Sequence, residues 1–172
     1  KRTFHGDELK QLEFSSFITA PGRAIAVKDV VIYSTELQKM PNAVMYDVPG
    51  FNSPTAMHEE QTLQKMQAAD AIIMVAKAHE PTLTAEVLKI FQNPDVDGAY
   101  LSDKLFVFAN KADLATDLQK NKQTTYHEWT ERYKILPNSP EGRERIVFGS
   151  ANACLGDDGA RSKLAALGEG DG

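Results

Sequence analysis

The sequence predicts an α/β protein, a doubly wound and mostly parallel sheet between helical layers, with one antiparallel pair near its start. Two observations carry that prediction. Short, continuous apolar runs (residues 70–76, 104–109 and 146–148) alternate with stretches of helical spacing, the signature of strands joined by helical crossovers. Polar motifs then stand directly behind apolar runs, at Asp47, Asn110 and Ser150. In parallel sheets ligands bind beyond the carboxyl ends of the strands, so three motifs far apart in sequence are expected at one rim.

Each element has its own warrant. In residues 7–17, Leu9, Leu12, Phe14 and Phe17 suit either a short helix or a loop. Residues 24–34 are rich in β-branched side chains and follow Pro21-Gly22, which predicts a strand entered from a turn. Pro41-Asn42 breaks the chain before Ala43-Val44-Met45-Tyr46, predicted as a second strand that completes a hairpin and delivers Asp47. Met57, Leu63, Met66 and Ala69 predict an amphipathic helix over 57–69. The run 70–76 is too short for a buried helix and suits a strand covered on both faces. Thr84 is placed to cap a helix over 85–92, with Glu86 in its first turn. A strand over 104–109 precedes Asn110. Tyr126, Trp129 and Tyr133 then mark a helix over 124–133, where they read as a packing face, and 146–148 is the last strand. From about 156 to 172 the Gly- and Asp-rich composition predicts a flexible tail behind a single domain.

At 172 residues the chain has the length of one domain. Its 24 acidic and 19 basic residues give a net charge of −5, and the basic ones are scattered, which argues against a nucleic-acid partner. Cys154, the single cysteine, excludes an intramolecular disulfide and a cysteine-cluster metal site. His5, His79 and His127 have no partners at metal-ligand spacing. No run reaches the length of a membrane span, and the reading is of a soluble cytoplasmic protein. A start in polar sequence without Met leads us to expect a piece of a longer parent.

Three motifs carry chemistry. In Asp47-Val48-Pro49-Gly50, a carboxylate at a strand end can hold Mg2+ through water, and Gly50 can bring a bare N–H to a terminal phosphate; the same four residues also suit an ordinary turn. In Asn110-Lys111-Ala112-Asp113, a carboxylate can accept from the N1–H and 2-amino group of guanine, donors that adenine does not supply in that arrangement, while the Lys111 stem lies across the ring. The plainer reading is a loop in which Asp113 caps a helix. In Gly149-Ser150-Ala151-Asn152, small residues let a backbone N–H approach guanine O6. No G-x-x-x-x-G-K-[ST] occurs in the chain, and Gly156-Asp157-Asp158-Gly159-Ala160-Arg161-Ser162-Lys163 has the wrong spacing for one.

With these motifs in this order, residues from about 25 to 153 resemble the G domain of the GTPase superfamily, and within it the dynamin family of large GTPases. Asn110 departs from the dynamin pattern, which usually has Thr there. The resemblance implies a GTPase fold lacking its first strand and phosphate loop, thus a partial G domain. It also implies GTP or GDP with Mg2+ as ligands, and nucleotide contacts from Asp47, Gly50, Asn110, Lys111, Asp113, Ser150, Ala151 and Asn152, with Asp47 on the metal. Phe51 stands where small GTPases carry the glutamine that orients water, so hydrolysis would run otherwise. His58, Glu59 and Gln61 fall in the second-switch segment, with His58 and Gln61 the catalytic candidates. For the parent the resemblance implies homodimerisation or higher assembly across the nucleotide face, and membrane association. The alternative is a non-catalytic GTPase-like module that acts through protein contacts.

Overall fold

The computed structural model describes residues 43–48 and 56–168. The chain divides into two compact units, Lys1–Met45 and Tyr46–Gly172, and every element below belongs to the second. The expected helix or loop over 7–17, the strand over 24–34, Gly50 and Phe51 lie outside the described residues, as do the side chains of His58, Glu59 and Gln61.

The first element among the described residues is helix α1 (Ala56–Ala68). Its face carrying Thr62 and Met66 is buried, and Lys65 looks outward. Strand β1 (Ile72–Lys77) follows, then helix α2 (Ala85–Phe91), whose N-terminus is capped as expected by the Thr84 hydroxyl accepting from the Val87 N–H. A 3-10 turn (Leu101–Lys104) leads into strand β2 (Leu105–Asn110), and a second one (Ala112–Leu114) leaves it.

Helix α3 (Leu118–Tyr126) starts well before the expected 124, because Asp117 accepts from the Lys120 N–H and fixes the first turn of a polar stretch. It runs into a π-helical turn (His127–Arg132) that seats Trp129 in the core with its indole N–H donating to the Pro81 carbonyl at 3.0 Å. The short helix α4 (Pro140–Glu144) is capped by Ser139 and has Pro140 in its first turn. Its Gly142 is obligatory: a Cβ there would lie 1.9 Å from the Pro137 carbonyl oxygen. Strand β3 (Ile146–Phe148) and the single-turn helix α5 (Ala151–Cys154) precede helix α6 (Asp158–Gly168), which occupies part of the predicted flexible tail and packs Leu164 and Leu167 inward.

The three strands form a parallel sheet in the order β1-β2-β3, with Lys77 opposite Asn110 and Ala109 opposite Phe148. Alternation along each strand sends Ile72, Leu105, Val107 and Ile146 to one face. There they meet Met66, Val87, Phe91, Leu101, Trp129, Ile135 and Leu136 in the main core. The other face carries Ile73 (62% exposed), Val75, Phe106 and Val147, all solvent-accessible. The expectation that 70–76 would be covered on both faces is thus corrected: helices of the described residues pack on one face only.

Residues 43–48 form no strand. Val44, Met45 and Tyr46 stay exposed, so the expected strand at 43–46 is not formed. An extended apolar run becomes a strand only through a ladder partner, and no ladder reaches these residues.

Candidate functional site

The parallel register puts the carboxyl ends of β1, β2 and β3 side by side. Past the last ladder pair, the Ala78 N–H donates to the Asn110 carbonyl at 2.8 Å, the Gly149 N–H to the Ala109 carbonyl at 3.1 Å, and the Ala112 N–H to the Gly149 carbonyl at 3.0 Å. The 110–113 and 149–151 loops are therefore laced together by backbone. Gly149 permits it, since a Cβ would stand 2.8 Å from the Phe108 ring.

Asn110 is the bridge. Its Oδ1 accepts from the Lys111 N–H at 2.8 Å and from the Ala151 N–H at 2.9 Å. Two donors converging on one atom assign it as the amide oxygen, so Nδ2 is the remaining donor. The first bond supports a strained turn: Lys111 has φ 63 and ψ 33, a left-handed conformation uncommon outside glycine. That conformation redirects the chain so that Ala112 and Asp113 are buried while Lys111 remains exposed.

Asp113 is 7% exposed, yet its carboxylate makes no hydrogen bond or ion pair with any described residue. No buried side-chain oxygen or nitrogen lacks a partner among the described residues, so the Asp113 carboxylate oxygens reach solvent and are open to a donor from outside the protein. It does not cap a helix, which was the plainer expectation for it. Ser150 is buried and caps α5, its Oγ accepting from the Ala153 N–H at 3.2 Å. Asn152 is exposed. The structure thus brings Asn110, Lys111, Asp113, Ser150 and Ala151 to one rim. Asp47 is exposed, and no hydrogen bond or ion pair joins it to that set among the described residues. Its neighbour Tyr46 instead lies under the Lys65 ammonium, 4.3 Å from ring centre to Nζ.

Sequence reasoning missed two features of the rim. One is that in the loop expected to present a backbone N–H to guanine O6, the Ala151 N–H is held by Asn110. The other is the Lys77–Glu80 ion pair at 2.6 Å, at the end of β1 opposite Asn110. The Lys77 hydrogen bond and charge lower the Glu80 pKa, with smaller help from His79 and Lys111. The Lys-x-x-Glu spacing after an apolar run was its available signal.

Residues 8–112 match the family model described as the Dynamin family. That stretch is more than half of the chain and contains Asp47-Val48-Pro49-Gly50 and β2 through Ala112. The chain belongs to the dynamin family. It is a dynamin-family GTPase domain, and GTPases of this family bind GTP and Mg2+. The match ends at Ala112, so Asp113 and the 149–152 loop lie outside it. No curated protein and no solved structure matches this dynamin-family chain. Among the described residues, no helix is long and apolar enough to cross a membrane, and no three His, Cys, Asp or Glu gather as a metal site.

Proposed function

We propose that this chain carries the base-reading part of a guanine-nucleotide site in a large GTPase that hydrolyses GTP to GDP and phosphate with Mg2+. The observation that carries the reading is the Asp113 side chain, largely buried but with carboxylate oxygens that reach solvent and bond to no described residue, beside the Asn110 bridge. Guanine N1–H and its 2-amino group offer two adjacent donors to that carboxylate, and low exposure strengthens both charge-assisted bonds. Asn110 Nδ2 would donate to a guanine acceptor such as N7, and the exposed Lys111 stem would lie across the ring. O6 would share the Ala151 N–H with Asn110 Oδ1. Ser150 positions that N–H by capping α5, and Asn152 stands at the edge of the same loop.

Phosphate and metal chemistry rests on less. Asp47 is a single exposed carboxylate, which fits a Mg2+ held largely by water and phosphate oxygens. Mg2+ would there neutralise charge on the transferred phosphoryl group. The phosphate-cradling motif is not among these residues, and Gly50, His58 and Gln61 keep only the roles that the resemblance implies. In this reading the three-stranded sheet is part of a three-layer, doubly wound GTPase sheet, and the domain comprises residues 1–172. In the complete protein, assembly across the nucleotide face and membrane association follow from the same family reading. A non-catalytic, protein-binding module is the second reading, favoured by the exposed apolar face of Ile73, Val75, Phe106 and Val147.

Amide chemical shifts of the chain, titrated with GDP and with ADP, test the base reading. Shifts at Asn110, Lys111 and Ala151 with GDP alone support it; equal responses to both nucleotides count against it.

A further inference from the structure

The two ends of β2 are fixed in different ways. At its start, Lys104 Nζ donates to the Gln67 and Ala69 carbonyls at 3.0 and 2.7 Å and meets Asp95 Oδ2 at 3.2 Å, in a nearly buried ion pair. Burial works against the Asp95 charge, but hydrogen bonds from Lys104 and from the Asp97 and Ala99 N–H groups outweigh it and keep its pKa below the ordinary value. At the carboxyl end, under the base-reading rim, the packing is apolar and built from small side chains. Ala78, Ala109, Ala112 and Leu118 form a buried cluster of their own, and Leu164 and Leu167 pack against it from α6.

Helix α6 also holds the neighbouring loop. The Asp157 N–H donates to the Asn152 carbonyl at 3.0 Å and Asp157 Oδ1 accepts from the Ala160 N–H at 2.9 Å, so α6 starts directly off the end of α5. Gly156, with φ 101, makes the turn between them. In its first turn the Arg161 Nε–H donates to the Ala153 carbonyl at 2.8 Å, and Ala153 and Ala160 are both buried.

These attachments matter because the parts they reach are intrinsically weak. Asp113 stands in a 3-10 turn of three residues entered through the left-handed Lys111, and α5, which starts at Ala151, is a single turn of four. Short 3-10 segments have poor hydrogen-bond geometry, and one helical turn alone does not recover its nucleation cost. Backbone bonds and Asn110 lace the two loops to each other, but lacing alone does not seat the pair on the end of the sheet. Helix α6 reaches both, through the cluster that contains Ala112 and through the Ala153 carbonyl.

We propose that α6 is a brace for the base-reading rim, with Leu164 a positioning residue for the turn that carries Asp113 and Arg161 a positioning residue for α5 and the Ala151 N–H. The two arms act on different edges of the base. Leu164 works through the carboxylate that would meet N1–H and the 2-amino group, and Arg161 through the N–H that would meet O6. The link to nucleotide rests on the function proposed above, whereas the brace does not.

Amide hydrogen exchange on the nucleotide-free chain reads the brace alone, so the two proposals fail separately. Leu164→Ala should accelerate exchange about tenfold at the Ala112, Leu114 and Ala115 amides and leave the Val107 amide protected. Leu164→Met, close to Leu in volume, should stay near wild type, and Leu164→Val serves where the Ala variant does not fold. Arg161→Met removes the donor and should accelerate exchange at Cys154 and Leu155. Arg161→Gln sets an amide N–H at the same distance along the side chain and should restore that protection. Wild-type exchange at 112–115 in Leu164→Ala and Leu164→Val, acceleration that reaches Val107 equally, or equal exchange in the two Arg161 variants would overturn the brace. Titration with GDP and with IDP, whose base lacks the 2-amino group, then reads the link. Leu164→Ala should reduce the preference for GDP over IDP about threefold, while Arg161→Met should weaken both nucleotides alike and keep that preference. A preference unchanged in Leu164→Ala would overturn its positioning role. A wild-type chain that does not distinguish GDP from IDP would instead count against the base reading, with the brace judged by exchange.

Discussion

Replacing Asn110 by Ala removes the acceptor shared by the two loops of the rim, and the structure sets the size of the loss. The Lys111 N–H, 2.8 Å from Oδ1, is exposed and water replaces the lost bond, at a cost of about 0.5–1 kcal/mol. The Ala151 N–H, 2.9 Å away, is partly buried, and leaving it unpaired costs about 1–3 kcal/mol. Lys111 keeps its left-handed backbone with less support. Together they come to about 1.5–4 kcal/mol, a substantial fraction of the roughly 5–15 kcal/mol that holds a domain together. Urea unfolding should show a lower midpoint with an unchanged slope, and the Ala151 amide should lose protection from exchange. Asn110→Asp keeps the acceptor and should retain most of that protection. If Asn110→Ala unfolds at the wild-type midpoint, or if Asp and Ala replacements expose Ala151 equally, the bridge does not hold the loops.

Three further outcomes are expected. Trp129→Phe strands the Pro81 carbonyl and leaves a void at a fully buried site, which should cost about 2–3 kcal/mol in urea unfolding; a loss below about 0.5 kcal/mol would contradict the packing. Asp95 has a folded pKa below the ordinary 3.8, so its contribution to stability is present above that value and is lost as pH falls through the lower one. Asp95→Asn should accordingly melt below wild type at neutral pH, with the gap persisting to about pH 4 and closing in stronger acid; a gap that widens in acid would reverse the sign. The 172-residue chain should show no GTP turnover on its own, because no phosphate-loop lysine or N–H cradle is among its residues. Magnesium-dependent turnover by the pure chain, lost in Asp47→Ala, would overturn that expectation.

What the sequence revealed of this fold was set by local physics. Apolar runs bounded by polar motifs located β1, β2 and β3 to within two residues, and Thr84 capped its helix as its side-chain chemistry required. The start of α3 was not legible, because residues 118–123 are polar apart from Leu118 and the helix is nucleated by the Asp117 cap. The π-turn was also hidden: Tyr126, Trp129 and Tyr133 show the spacing of an ordinary packed helix, and only the tertiary seat of the Trp129 indole selects the wider turn. The missing strand at 43–46 and the bare face of β1 share one cause, since ladder partners and covering layers are not written in a segment's own composition. At the rim, the residue types of Asn110, Asp113 and Ser150 were readable from spacing. That Asn110 would bind the Ala151 N–H was not, because the contact joins residues far apart in sequence.

The central claim, that Asp113 reads the guanine edge, is tested most directly by exchanging the carboxylate for an amide and changing the base with it. Competition titrations of wild type and Asp113→Asn with GDP, XDP and ADP should show wild type preferring GDP. The variant should lose about 1–3 kcal/mol of GDP affinity and gain for XDP, whose edge offers the acceptor that complements the new donor. Equal wild-type affinity for ADP and GDP, or undiminished GDP binding by Asp113→Asn, would contradict the account.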